Sequence, residues 1–185
     1  SKEAEDEGLR RGMKVSLARR MSHGAQLLPY NQSLYGRLNQ YIYSTVQRFT
    51  PIVEPSGYGK FYLDMTGMER IYKSHEQTGS NISKLVQNHV GLNPVLGISQ
   101  NKLVSRISTS VVPDTIHRIM VGDETQFLSP LDAPVIPTVH EPTVWKLIKF
   151  LILNQVRQIQ ALVNSATDTR RLFGRYALPL YREVH

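Results

Sequence analysis

Arg48-Phe49-Thr50-Pro51-Ile52-Val53-Glu54-Pro55-Ser56-Gly57-Tyr58-Gly59-Lys60-Phe61-Tyr62-Leu63-Asp64-Met65-Thr66-Gly67 is the stretch on which the fold turns. Pro51 stops whatever helix precedes it, because proline lacks an N–H and its ring disfavours helical geometry in the residue before it. Ile52-Val53 and Phe61 to Met65 are β-rich, and Pro55 to Lys60 between them are turn residues, so the two runs are expected to pair. Upstream, Leu34, Leu38, Ile42, Val46 and Phe49 recur at helical spacing and predict a helix over 32–49. Downstream, Ile82, Leu85, Val86, His89 and Val90 fall on one face of a helix over 81–90. Pro94 to Ile98 then reads as a buried strand, Asn101 to Val111 as a helix broken by Pro113, and Ile116 to Val121 as a last strand. Helices on one face of a mostly antiparallel sheet give an α+β class.

Nearer the start of the sequence, Ser16 to Met21 reads as a short basic helix that stops at Ser22-His23-Gly24, and Pro29 opens the next unit. Beyond Gly122 the character changes. Asp123 is placed to cap a short helix to Leu128, and Pro130, Pro134 and Pro137 predict an extended connector. From Pro142 the chain reads as helical. Val144, Leu147, Ile148, Leu151 and Ile152 form one apolar stripe with Trp145 in the core, and Gly174 allows a turn between later helices. Charge divides the same way. Residues 122–141 hold Asp123, Glu124, Asp132 and Glu141 and no base. Residues 142–185 set Lys146, Lys149, Arg157, Arg170, Arg171, Arg175 and Arg182 against Asp168 and Glu183. Such a surface suits a polyanion, DNA first; the plain alternative is a solvated basic face.

Composition removes several classes of function. The 185 residues carry a net charge of +7 and no cysteine, which excludes a disulfide framework, thiol catalysis and cysteine-ligated metals. The longest apolar run, Leu147 to Leu153, is broken by Lys149 and is far short of the ~20 residues of a membrane span. Ser1 to Arg11 is charged, unlike a secretory leader, and a cytoplasmic location is expected. The six histidines show no metal-ligand spacing, and Gly57-x-Gly59 lacks the helix and third glycine of a nucleotide loop. No Gly-x-Ser-x-Gly elbow or His-Glu-x-x-His helix is present, so neither cofactor nor metal is expected.

Five segments, in order, carry a family resemblance. Gly8-Leu9-Arg10-Arg11-Gly12-Met13 with Leu17-Ala18-Arg19-Arg20 resembles the fingers of Y-family translesion DNA polymerases. Arg48 to Pro55 resembles the segment before that family's catalytic turn, and Phe61 to Gly67 the strand after it. Gly97-Ile98-Ser99-Gln100-Asn101-Lys102-Leu103-Val104-Ser105-Arg106-Ile107 resembles the palm's Gly-Ile-x-x-Asn-Lys motif, and Leu128-Ser129-Pro130-Leu131 the start of the thumb. The resemblance implies a partial polymerase core with a ferredoxin-like antiparallel palm sheet. Its parts would be a fingers segment over 1–29, a palm-like domain over 30–121, a connector over 122–141 and a helical thumb over 142–185.

The departures from the family decide the expected function. The family places Ser-x-Asp-Glu just before this strand, and those acids help hold the two magnesium ions of phosphoryl transfer. Their positions fall on Gly59 and Lys60. Glycine has no ligand atom, and lysine repels the metal. The family's remaining metal carboxylate lies on a strand before the fingers, upstream of this segment. Asp64 reads as a turn cap and Glu54 as a surface or hinge residue. Lys102 and Arg106 read either as anion contacts or as solvated lysine and arginine. The thumb normally opens on Pro-Gly-x-Gly, whose amides hold a phosphate; here the stretch is Pro137-Thr138-Val139-His140-Glu141-Pro142, without glycine.

The resemblance therefore points to the inactive ImuB-type (ImpB/MucB/SamB-like) members, non-catalytic adaptors in the DNA-damage (SOS) response. By resemblance, their partners are DNA, a sliding clamp, a separate error-prone polymerase and a RecA-like protein, at the nucleoid. A template-dependent nucleotidyltransferase with ligands from outside this segment is the alternative. In the family the first strand lies inside the palm sheet, so self-association through an exposed edge is a further expectation.

Overall fold

The computed structural model describes residues 2–10, 12–22, 24–68, 70–112 and 115–185. The expected stops at His23 and Pro113, and Arg11 of the fingers motif, lie outside them. The chain divides into two compact units, residues 1–37 and 38–185.

In the first unit, α1 (Lys2–Asp6) and α2 (Val15–Met21) are short. Gly8, in the left-handed region at φ 87°, ends α1; its N–H bonds Glu5 O, and Arg10 donates to the same carbonyl. Short helices of this kind gain little from their own hydrogen bonds, and α2 buries none of its residues.

The second unit takes up α3 (Gln32–Val46) from Leu38 onward. β1 (Val53–Pro55) and β2 (Phe61–Leu63) form the expected hairpin, antiparallel, with Glu54 opposite Tyr62. α4 runs His75–Val90, a turn and a half earlier than periodicity suggests. Its polar first turns carry no apolar signal, but the Ser74 hydroxyl accepts the Gln77 N–H at 3.2 Å and fixes the start. Gly91, at φ 74°, ends it. β3 (Leu96–Ile98), α5 (Lys102–Val111) and β4 (Ile116–Arg118) follow, and Asn101 caps α5 by accepting the Val104 N–H at 2.8 Å.

The α+β class stands, but the single, mostly antiparallel sheet does not. Among the described residues there are two two-stranded sheets, and β3 pairs with β4 in parallel, Gly97 opposite His117. The cause is α5: a helix crossing over between two strands returns the chain to the same end, and the second strand must run parallel to the first.

A second correction concerns residues 122–141. After α6 (Glu124–Leu128) the chain is not extended; Ala133–Val135 and Pro137–His140 are 3₁₀ turns with proline in their first positions. Ala133, Ile136 and Val139 are at most 1% exposed. Nor does the Asp123 side chain cap α6; instead the Glu124 carboxylate turns back to accept the Gly122 N–H at 2.7 Å.

α7 (Pro142–Phe150), α8 (Val156–Val163), α9 (Ala166–Phe173) and α10 (Ala177–Val184) complete the helical end. Their buried faces join the two 3₁₀ turns and Val104, Ile107 and Ile119 in one apolar cluster. A smaller cluster gathers Val46, Ile82 and Val86 with Phe49, Val53, Leu63 and Leu96, so α3 and α4 pack on strands from both sheets.

Candidate functional site

The β1–β2 turn holds Gly59 and Lys60, the two positions singled out by the family resemblance. Ser56 N–H bonds Lys60 O at 2.8 Å, and Lys60 N–H bonds Gly57 O at 3.1 Å, closing a tight loop. Gly59 sits in the left-handed region at φ 68°, where glycine is the favoured residue, and its N–H is taken by Asn39 Oδ1 at 2.7 Å. Lys60 is exposed. The loop therefore offers neither a carboxylate nor a free Gly59 amide.

The acids beside it are committed elsewhere. The Thr66 hydroxyl first, then the Thr66 N–H, which Asp64 Oδ1 accepts at 2.9 Å, hold this carboxyl below its ordinary range, with a smaller effect from Lys102. Glu54 forms an ion pair with Lys102, whose ammonium also lies 5.5 Å from the centre of the Tyr62 ring. Arg106, exposed, lies one helical turn beyond Lys102 on the same face of α5. Lys102 and Arg106 thus share a face next to the hairpin, and Lys102 is already neutralised by Glu54. Among the described residues no group of three histidine or acidic side chains could hold a metal ion.

Residues 137–142 lead into α7 with the amides of Thr138, Val139 and Glu141 occupied. Thr138 N–H donates to Glu183 Oε2 at 2.9 Å, Val139 N–H to Ile136 O at 3.1 Å and Glu141 N–H to Thr138 O at 3.2 Å. A phosphate would find these donors spent inside the fold and the Glu141 carboxylate beside them.

Beyond that stretch, Lys146, Lys149, Arg157, Arg170, Arg171, Arg175 and Arg182 are all exposed. Lys149 lies 4.6 Å above the half-buried Trp145 ring. Arg175 donates to Tyr176 Oη at 2.6 Å, and Tyr176 in turn donates to Glu141 at 3.1 Å. That chain raises the Arg175 guanidinium further above its ordinary range, the Tyr176 contact first. Lys146, Arg157, Arg170 and Arg171 are exposed bases on three successive helices.

Several contacts escaped sequence reasoning. Arg118 on β4 donates to Glu76 Oε1 at 2.6 Å, across 42 residues. Buried Thr50 donates its hydroxyl to Asp64 O and accepts the Ile52 N–H, bracing the start of the hairpin. Neither pairing has a periodic signal, because each joins residues that only the fold brings together.

The sequence pattern of the impB/mucB/samB family matches residues 1–110. A DNA polymerase IV of Dehalococcoides mccartyi is 29% identical over 178 residues, 96% of this chain and 45% of that protein. A DNA polymerase IV of Desulfatibacillum aliphaticivorans is 27% identical over 98% of this chain and 45% of its own length. The chain thus spans about half the length of the relatives it matches. Among solved structures, DinB from Sulfolobus solfataricus superposes with a TM-score of 0.77 at 19% identity, over 98% of this chain and 54% of that one. An insertion ternary complex of Dbh DNA polymerase gives 0.78 at 19% identity, over 99% and 54%. These structures share the fold.

Proposed function

We infer the function from one premise: this chain belongs to the impB/mucB/samB family, and the matched residues include the whole β1–β2 hairpin. On that premise it is a Y-family polymerase core that has given up metal-dependent nucleotidyl transfer and serves translesion synthesis as a DNA-binding adaptor. The carrying observation is the hairpin turn. By resemblance, Gly59 and Lys60 take the positions of the family's Asp and Glu, and the two neighbouring acids are tied to Lys102 and Thr66. A second ion-binding route through those acids would have to break both contacts.

DNA is the proposed partner. The exposed bases at positions 146, 149, 157, 170, 171 and 175 would hold phosphates without reading sequence. Lys102 and Arg106 are secondary anion contacts, the former only where an anion displaces Glu54. By family likeness, a sliding clamp, a catalytic error-prone polymerase and a RecA-like protein complete the proposed assembly at the nucleoid. Self-association through an open strand edge is part of the same proposal, since each strand pairs with one neighbour among the described residues.

The nucleotidyltransferase reading is supported by one finding, that the relatives are DNA polymerases. Primer extension by the intact protein carrying this segment, with magnesium and with manganese, separates the two. The adaptor reading expects no incorporation with either metal while the protein still binds the primer–template. Extension abolished by Asp64→Asn would overturn it.

A further inference from the structure

Phe150, the last residue of α7, is 81% exposed, and Ile152 in the turn after it is 70% exposed. The turn itself is firmly held. Leu153 N–H bonds Ile148 O at 2.9 Å, and Ile152 N–H bonds Lys149 O at 3.2 Å. That pair of bonds is the helix closure that usually sets glycine at the left-handed position, and here isoleucine occupies it at φ 54°. Neither the strain nor the exposure of the ring is offset inside the fold, so both point outward, to a binding partner.

The surroundings narrow what that partner is. Lys146 lies one helical turn before Phe150 on the same face of α7, and Lys149 directly precedes it; both are exposed, as is Arg157 on α8. From residue 142 to residue 167 the sequence has no acid. Of the acids beyond, Glu141 accepts the Tyr176 hydroxyl, and an isolated bridge sets Asp132 opposite Gln155, one carboxylate against three basic side chains. An aromatic ring among basic side chains suits a nucleic acid, with phosphates on the cations and a nucleobase on the ring. Trp145 suits it less, being half-buried with Lys149 over its ring at 4.6 Å. Inside a duplex the nucleobases are already stacked, and a ring inserted between them must break that stacking. An unpaired nucleobase has a free face.

We propose that Phe150 stacks on an unpaired nucleobase of DNA while Lys146, one turn away, holds an adjacent phosphate. The two side chains leave α7 about 5–6 Å apart, within the span of one nucleotide. The proposal rests on the DNA-binding reading above and adds to it a preference for single-stranded over duplex DNA, carried by the turn between α7 and α8.

The test is fluorescence anisotropy of the intact protein carrying this segment with three labelled probes: oligo(dT), an abasic strand of equal length, and a duplex. Wild type should bind oligo(dT) about fivefold or more tightly than the abasic strand, the lower end of the effect of one base–aromatic stack. Phe150→Ala should remove that difference and leave duplex affinity unchanged, whereas Phe150→Tyr should keep it. Phe150 is exposed, so neither substitution disturbs the fold. Lys146→Ala should weaken binding to both strands alike. Equal binding of oligo(dT) and the abasic strand by wild type, or a preference that survives Phe150→Ala, overturns the stacking while DNA binding stands. Binding to none of the three probes overturns the DNA-binding reading and this proposal together. Self-association that Phe150→Ala abolishes, with all DNA affinities unmoved, assigns the ring to a second copy of the chain and likewise overturns the proposal.

Discussion

At Gly97, in the middle of β3, an added Cβ would lie 2.1 Å from Ser105 O and 2.2 Å from Ser108 Oγ on α5. The strand rests on the helix backbone, and only hydrogen fits between them. Because Ser105 O belongs to the helix itself, no rotamer change relieves the clash. Gly97→Ala should lower stability by about 3 kcal/mol, the upper part of the range for overpacking, seen as an earlier urea midpoint. An unchanged midpoint would show that β3 and α5 separate freely. Glu76 gives the pH-dependent counterpart. Its hydrogen bond from Arg118, helped by its own backbone and by Ser74, lowers its pKa from 4.5 to about 2. A depressed carboxylate stabilises the fold above its unfolded value, and the effect disappears as pH falls through the folded one. The difference in urea midpoint between wild type and Glu76→Gln should hold steady above pH 4.5 and vanish as the pH falls to about 2. A difference that grew toward acid would contradict the assignment.

Between α7 and α8 the chain turns through Ile152, the one non-glycine at positive φ among the described residues, at 54°. A β-branched residue in the left-handed region is strained by roughly 1–2 kcal/mol. Ile152 is 70% exposed, so burial does not offset that strain. Ile152→Gly should therefore stabilise the helical end by about 1 kcal/mol, after allowing for glycine's greater freedom in the unfolded chain. Calorimetry should show a higher Tm; a lower one would mean that the side chain makes contacts worth more than the strain. The turn works because its two helices are held elsewhere. Gln155 and Gln158 form a reciprocal cap at the start of α8, and Val156 N–H bonds Leu131 O at 2.8 Å.

At the scale of the whole molecule, charge and backbone chemistry set the mode expected of the proposed DNA binding. With the amides of Thr138, Val139 and Glu141 bonded internally, phosphate contacts fall to exposed side chains. Binding should be weak, indifferent to sequence and steeply dependent on salt. Changing Arg170, Arg171 and Arg175 together to alanine should weaken binding to every sequence. It should also flatten the log–log salt slope by up to about 3, since each duplex phosphate contact contributes roughly 0.9. Fluorescence anisotropy over a salt series measures both. A strong preference for one sequence, or affinity unmoved by salt, would refute the mode.

Local order was written in the sequence. Helical spacing marked α3 and the later part of α4, and turn residues flanked by β-rich runs marked the β1–β2 hairpin. The glycine and lysine at 59 and 60, and the excess of bases after Pro142, are facts of composition at fixed positions, and they survive any folding. Periodicity reports which side of an element is apolar, which is why these features were legible. It carries no information about the direction in which two distant strands meet or about which donors are consumed. Only the tertiary structure set β3 and β4 parallel, because the α5 crossover fixes their direction. Only it buried the proline-rich segment as two 3₁₀ turns, because Ala133, Ile136 and Val139 fill the core beneath the helices. The spent amides of Thr138, Val139 and Glu141 belong to the same class, as does the buried Oε1 of Glu124, unmet among the described residues. Hydrogen-bond satisfaction depends on neighbours many residues away, and the chain acquires those neighbours only by folding.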